Sequence, residues 1–300
     1  MTKTQAWIQF TKERFHPLSH IIMIVVFIAA HILVAKSTHE FTFSFLNAIL
    51  LLIGVTAFYF KLRLYDEVKD YELDVVINKT RPLPRGLLTH KDMYRGMLAC
   101  IVIELVTFSL QGLNSSISII LAITYSLIMY KEFFIADKIR PYLTTYALVH
   151  TIVTSILSIA IFSFLTRLSI IEVATNPVYL SFALSNWLLF NIFEFGRKTF
   201  ATSEERENVD TYSSLFGRTG AVILVASQAV LASYLALNLT GANQLVLLWA
   251  LGILLAATLI LSLNYVLTNT SIGAKRYRNF SSAYIVIFYL ILIIAHLLKN

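Results

Sequence analysis

Cysteine is almost missing: Cys100 stands alone in the chain, which excludes a disulfide framework and any metal site built from several thiolates. Glycine and proline are scarce too, 10 and 5 residues of 300, too few for a fibrous or low-complexity disordered chain. Charge is thin. Asp, Glu, Lys and Arg together make 14% of the residues against 57% hydrophobic, a balance that nearly excludes a soluble fold. The sequence has no glycine-rich phosphate cradle, no haem-type histidine pair and no nucleophile elbow, so phosphate recognition would fall to metal ions and basic side chains. A small-residue cleavage site is lacking near the start, which argues against a removable signal peptide.

What the chain has instead is a series of apolar runs long enough to cross roughly 30 Å of hydrocarbon. Nine are expected, at 18–35, 41–60, 93–112, 115–130, 142–165, 178–196, 219–238, 242–263 and 281–298. The stretch 115–130 is short, and 178–196 runs into charge at Glu194. The expected fold class is all-α: one polytopic membrane domain over 1–300, a single bundle of nine transmembrane helices. Residues 1–17, with Trp7, Ile8 and Phe10 among Lys3, Lys12 and Arg14, read either as a segment lying on the membrane surface or as a frayed tail.

An odd number of spans puts the termini on opposite sides, and sorting the basic residues by loop gives a lopsided result. All but Lys36, Arg167 and Lys299 fall on one side, which the positive-inside bias makes the cytoplasmic one, with the N-terminus in and the C-terminus out. The formal charge of +7 then needs no nucleic-acid partner. An integral protein of a bacterial inner membrane is the expected location. The acidic residues collect on that same side, apart from Glu40, Glu172 and the intramembrane Glu104, although the rule does not demand it. A mixed face of carboxylates and cations suits a metal-bound polyanion; a solvated charged face is the plainer alternative.

Spacing favours the first reading. Asp66-Glu67-Val68-Lys69-Asp70-Tyr71-Glu72-Leu73-Asp74 follows directly on an apolar run. If helical geometry continues, Asp66, Asp70 and Asp74 lie a turn apart on one face with Glu67 beside them. Like charges so spaced repel, and a divalent cation relieves the conflict; Mg²⁺ combines a few carboxylate oxygens with phosphate oxygens and retained waters. Arg63, Arg81 and Arg85 are near enough in sequence to hold remaining phosphate charge.

The stretch from Asp66 to Gly86, DEVKDYELDVVINKTRPLPRG, resembles the first aspartate-rich signature of the UbiA superfamily of intramembrane prenyltransferases, NDxxDxxxD followed by a segment like NKxxRPxxxG. Asp66 stands at the Asn position, Glu67, Asp70 and Asp74 at the three Asp positions, and Asn78, Lys79, Arg81, Pro82 and Gly86 fill the tail. A second family motif, DxxxD after the sixth span, is matched less well: Glu194 can stand for the first carboxylate, but Lys198 takes the place of the second. Either Lys198 contacts diphosphate directly, or Glu204, Glu205 or Asp210 folds back to complete the shell. Asp210 to Gly217 is similar to the Thr-and-Gly tail of that motif, and Tyr125 to Lys131 to the family's Tyr and Lys segment near the diphosphate, although a Lys there could be a plain interfacial anchor.

The resemblance implies a Mg²⁺-dependent enzyme that moves an isoprenyl group from a polyprenyl or short allylic diphosphate to an aromatic or other lipophilic acceptor within the lipid bilayer. Asp66, Glu67, Asp70, Asp74 and Glu194 would be metal ligands. Arg63, Arg81, Lys131, Arg197 and Lys198 would hold diphosphate, with Asp210 near them. Asn191 and His150 could line the acceptor cavity or serve only as interhelical hydrogen-bonding groups. Aromatic walls that keep water from a carbocation are sought among Phe58, Tyr59, Tyr125, Tyr146, Trp187, Phe190, Phe193 and Tyr265. A membrane terpene cyclase, which ionises the same substrate without an acceptor, is the alternative enzyme. A transporter ranks behind both, because transporters concentrate ionisable groups near the bilayer midplane, whereas these gather at one end.

Overall fold

The computed structural model describes residues 2–207 and 209–299. Among them there is no strand, and the chain is a sequence of helices: α1 (Lys3–Arg14), α2 (Pro17–Thr38), α3 (Phe45–Lys69), α4 (Tyr71–Ile77), α5 (His90–Ser109), α6 (Leu113–Tyr130), α7 (Ala136–Ile139), α8 (Leu143–Thr151), α9 (Val153–Thr166), α10 (Ile170–Thr175), α11 (Pro177–Arg197), α12 (Tyr212–Leu237), α13 (Gln244–Thr268) and α14 (Ser271–Leu297). Eight of these rods, taking α8 and α9 as one, are long and apolar enough to cross a membrane. The chain is an integral membrane protein. The remaining expected span, 93–112, falls on α5, twenty residues long but interrupted by the charges of Lys91, Asp92, Arg95 and Glu104.

Several boundaries differ from the sequence reading for one reason: helices do not end where hydrocarbon ends. α3 continues from its apolar part through Lys61, Arg63 and Asp66 to Lys69, because backbone hydrogen bonding carries on into the interface, where water and ion pairs accommodate the charges. Likewise Lys275, Arg276 and Arg278, expected in a loop, form the early turns of α14. The N-terminal segment is a capped helix rather than a frayed tail. Thr2 and Gln5 form its capping box, and Phe10 is buried edge-on against Phe60 at 5.9 Å between centroids.

Sequence neighbours pack side by side, α3 on α5, α5 on α6, α6 on α9, α9 on α11, α11 on α12, α12 on α13 and α13 on α14, and α14 returns to α2 to close the ring. α11 also touches α2 and α14, so it stands innermost and carries buried polar groups inward. Its close approach to α14 requires Gly196: a Cβ there would lie 2.2 Å from Cβ of Ser281. Gly217 interrupts α12 with φ +67° and ψ 170°, backbone open to glycine but not to other residues, and turns the segment 212–216 away from the helix that follows.

Inside the bundle the polar residues find one another. Lys61 donates to Glu104 at 2.5 Å with both side chains fully buried, so α3 and α5 share an ion pair that neither residue announces alone. Asn186 donates to Ser158 at 2.6 Å and accepts from Tyr289 at 2.9 Å, which ties α9, α11 and α14. Asn191 accepts from Thr151 and donates to Gln228 at 3.1 Å, joining α8, α11 and α12.

Candidate active site

The acidic ladder lies across a small break in the helix. Asp70 caps α3 with φ −87° and ψ 1°, yet hydrogen bonds from Asp70 to Asp66 (2.9 Å), Asp74 to Asp70 (2.9 Å) and Asn78 to Asp74 (2.8 Å) preserve a one-turn spacing through it. The carboxylates therefore stay on successive turns, as the spacing predicts, but their side chains have different neighbours. Glu67 is buried and accepts from Arg14 of α1. Asp74 is buried and accepts from Arg81 and, at 2.9 Å, from Asn78. Asp66 is half exposed, 3.5 Å from Arg63 and 3.8 Å from Lys69.

Asp70 has no such partner among the described residues. Burial first, and then the charge of Asp66, push its carboxyl above the ordinary aspartate range, with Asp74 adding to the effect and Lys69 and Arg81 opposing it. Glu67 keeps one buried oxygen, Oε2, without a hydrogen bond. No three carboxylate, histidine or cysteine side chains among the described residues are gathered into a ready-made ion cage. Yet unpaired Asp70, raised by the charge of half-exposed Asp66 one turn away, and the orphaned oxygen of Glu67 leave hard-oxygen donors on two adjacent turns. Such a set suits a hard divalent cation.

Two arginines of the signature are held by acids, Arg81 by Asp74 within it and Arg85 by α1. Arg85 makes a two-pronged pair with Glu13 of α1, at 2.9 and 2.7 Å, and that pair, chiefly through its hydrogen bonding, holds the Glu13 carboxyl below its usual range. Since Arg14 pairs with Glu67 at the same time, α1 is fastened across the start of the 78–89 loop.

The end of α11 brings the second cluster. Glu194 lies 2.6 Å from Arg197 and 3.0 Å from Lys198, so Lys198, which stands where the second carboxylate of the motif was sought, neutralises the first. The later acids do fold back, but elsewhere. Glu204 pairs with Arg278 at 2.8 Å, and Glu205 accepts from Thr211 (2.8 Å) and Ser213 (2.6 Å). Asp210 is exposed at the bend before α12. The two clusters are within electrostatic reach of one another: the charges of Arg14 and Arg197 bear on Arg63, and that of Asp66 bears on Arg197. Lys131 is exposed, its ammonium 5.0 Å from the Tyr130 ring.

Between these charges and the bundle interior runs a cavity of about 700 Å³ bounded by α2, α3, α11 and α14. Arg63 and Asp66 are at its polar end, and Tyr59, Phe190, Phe193 and Phe15 line it. Tyr59 and Phe190 stack nearly parallel, 5.7 Å apart. Of the aromatic walls sought in the sequence, these three on α3 and α11 reach the cavity. The others are occupied elsewhere: Tyr125 donates to the Val149 carbonyl at 2.7 Å, Trp187 to Leu148 at 2.9 Å and Tyr265 to Phe200 at 2.6 Å, while Phe58 packs under Lys61 at 4.4 Å.

Sequence reasoning missed Ser19, His20, Asn279 and Ser282, which α2 and α14 bring to the cavity from near the two ends of the chain. It also missed Glu132. There the backbone makes a left-handed turn, with φ of 50°, 56° and 57° at Glu132, Phe133 and Phe134. Burial works against ionisation of Glu132, but hydrogen bonds from Arg140 and Tyr146 (3.0 Å each) outweigh it and hold the carboxyl below its usual range. Tyr146 lies over to Lys69 as well, 5.3 Å from ammonium to ring centre, so this clamp borders the acidic ladder. A lone Glu-x7-Arg spacing carries no signal that could have pointed to it.

Two solved structures share this arrangement of helices. A UbiA homologue from Aeropyrum pernix K1 superposes with a TM-score of 0.64 over 92% of this chain and 97% of its own, at 15% identity. A digeranylgeranylglyceryl phosphate synthase superposes with a TM-score of 0.61 over 99% of both chains, at 16% identity. The chain has the UbiA fold. No family profile matches it, and no curated protein does, so at this low identity the likeness extends to the whole path of the backbone and not to the side chains. Within the UbiA fold, the signature expected from the sequence sits at one end of the ring, beside the mouth of the aromatic cavity.

Proposed function

We propose that the protein is a member of the UbiA superfamily and a Mg²⁺-dependent intramembrane prenyltransferase, acting on an allylic diphosphate and a lipophilic, aromatic or other, acceptor. One observation carries this reading: Arg63 and Asp66 stand at the polar end of an aromatic-lined cavity of about 700 Å³, a size suited to a small-molecule substrate. A charged leaving group and an apolar chain then have adjoining places in one chamber.

Asp66 and Asp70, with the free oxygen of Glu67, would hold the metal ion; Asp74 and Glu194, each paired to cations of its own, would orient those cations beside it. A bound Mg²⁺ supplies Lewis-acid neutralisation of the diphosphate charge. Arg63, Arg81, Arg197 and Lys198 receive the diphosphate, while Lys131, exposed against Tyr130, serves as an interfacial cation. As the allylic C–O bond breaks, its electron pair leaves with the diphosphate, where these cations stabilise the developing negative charge. The allylic carbon then bonds to the acceptor, which gives up a proton. Tyr59, Phe190 and Phe193 exclude water from the carbocation and turn ring faces towards it. Asn191, committed to Thr151 and Gln228, acts by positioning α11 rather than by touching substrate. The acidic end faces the cytoplasm of a bacterial cell, following the distribution of Lys and Arg.

The reading is tested by incubating purified protein with short and long allylic diphosphates and a panel of quinone precursors, with product identified by mass spectrometry. A prenylated acceptor that disappears when EDTA is added is the expected result. Cyclised hydrocarbon formed without any acceptor would instead assign the protein to the terpene cyclases.

A further inference from the structure

The end of the bundle away from the acidic ladder carries few cations, and two of them meet in one place. A cleft of about 760 Å³ opens where α2, α5 and α9 end, and it is lined by Lys36, His39, Glu40, Phe41, Gln111 and Arg167 among others. Neither Lys36 nor Arg167 has a carboxylate within 4.0 Å among the described residues.

Arg167 is held there at a cost. It caps α9 in the left-handed region, φ 63° and ψ 9°, a position where glycine is usual because any Cβ crowds the following carbonyl. The conformation is fixed by its own N–H, which donates to Ser163 at 2.9 Å, and by its carbonyl, which accepts from Asn114 at 2.8 Å. All these bonds are made by backbone atoms of residue 167, so glycine would keep them and lose the strain. Nothing local asks for an arginine, and the side chain is what remains to explain.

The surroundings indicate the ligand's chemistry. Lys36 and Arg167 stand against Glu40 in the lining and against Glu172, on which the charge of His39 at the edge bears; so small a positive balance suits a singly charged phosphodiester better than a doubly charged phosphate. Phe45 at the start of α3 and Leu113 at the start of α6 follow closely on the cleft-lining Thr42 and Gln111 and are 83% and 75% exposed, an apolar surface suited to acyl chains. We infer that this cleft seats the anionic headgroup of a membrane phospholipid, with Lys36 and Arg167 supplying charge for its phosphate and the acyl chains running past Phe45 and Leu113. The site is separate from the candidate active site and does not depend on what that site does.

The test uses the full chain in phosphatidylcholine nanodiscs titrated with phosphatidylglycerol, with retained lipid counted by native mass spectrometry; Arg167→Gly and Lys36→Gln are compared with the unaltered protein. A cation near a membrane surface contributes about 1 kcal/mol, or about fivefold in affinity, so each variant should retain phosphatidylglycerol about fivefold more weakly. Arg167→Gly should melt no lower than the unaltered protein, which separates lost binding from lost folding. Equal retention by all three proteins would overturn the site. Displacement by inorganic phosphate, with no lipid retained by any of them, would overturn the lipid assignment.

Discussion

At the scale of single residues, the most consequential partnership is also the least visible in the sequence. Lys61 follows an apolar run and reads as the first loop cation; Glu104 reads as an isolated intramembrane acid. They meet across α3 and α5, fully buried, at 2.5 Å. Removing one member leaves an unpaired charge in the bundle, so Glu104→Ala should lower unfolding free energy by about 3–5 kcal/mol. The double change Lys61→Met with Glu104→Leu should recover most of it, as chemical denaturation in detergent would reveal. Asp70 is the opposite case, a carboxylate with no ion-pair partner among the described residues. Its ionised form is disfavoured in the fold by burial and by Asp66, so the penalty is absent below the ordinary aspartate range and grows as pH rises through the raised value. Without divalent ions, Asp70→Asn should therefore melt higher than the unaltered protein at neutral pH, and the gain should vanish in acid. Added Mg²⁺ should stabilise the unaltered protein more than the variant; a variant that melts lower at pH 7 without metal would contradict this.

At the scale of elements, hydropathy located the long helices well and their ends poorly. Burial of an apolar run is a local property, but the continuation of α3 to Lys69 and of α14 back to Ser271 depends on interfacial ion pairs whose partners lie on other elements. The ladder Asp66, Asp70, Asp74 was legible because it needs only helical spacing. What the neighbouring Glu67 faces was not, because its partner Arg14 arrives from α1, 53 residues earlier. The left-handed turn at 132–134 shows the same limit. Non-glycine residues in that region cost about 1–2 kcal/mol each, and the buried Glu132 is tied to Arg140 and Tyr146. Phe133→Gly should stabilise the protein by about 1 kcal/mol, read from the melting curve. Glu132→Ala should free the loop and raise its rate of proteolytic cleavage between Lys131 and Arg140 without unfolding the bundle.

At the scale of the whole molecule, ring closure makes the cavity. α2 and α14 come from near the two ends of the chain, and their contact sets Ser19, His20, Asn279 and Ser282 opposite the aromatic walls of α3 and α11. No spacing within the sequence predicts a chamber shared by residues so far apart. Its position beside the acidic ladder is what the proposed chemistry rests on: a diphosphate at Arg63 and Asp66 would have its chain directed along the aromatic walls of that cavity. Diphosphate release from an allylic diphosphate, followed in nanodiscs with and without Mg²⁺, tests that meaning most directly. The unaltered protein should release diphosphate only with the metal present, and Asp70→Ala and Asp74→Ala proteins that still fold should be slower by about 10²–10³-fold. Release that continues at the same rate in both variants, or that ignores removal of the metal, would contradict the assignment of this end of the bundle as the catalytic one.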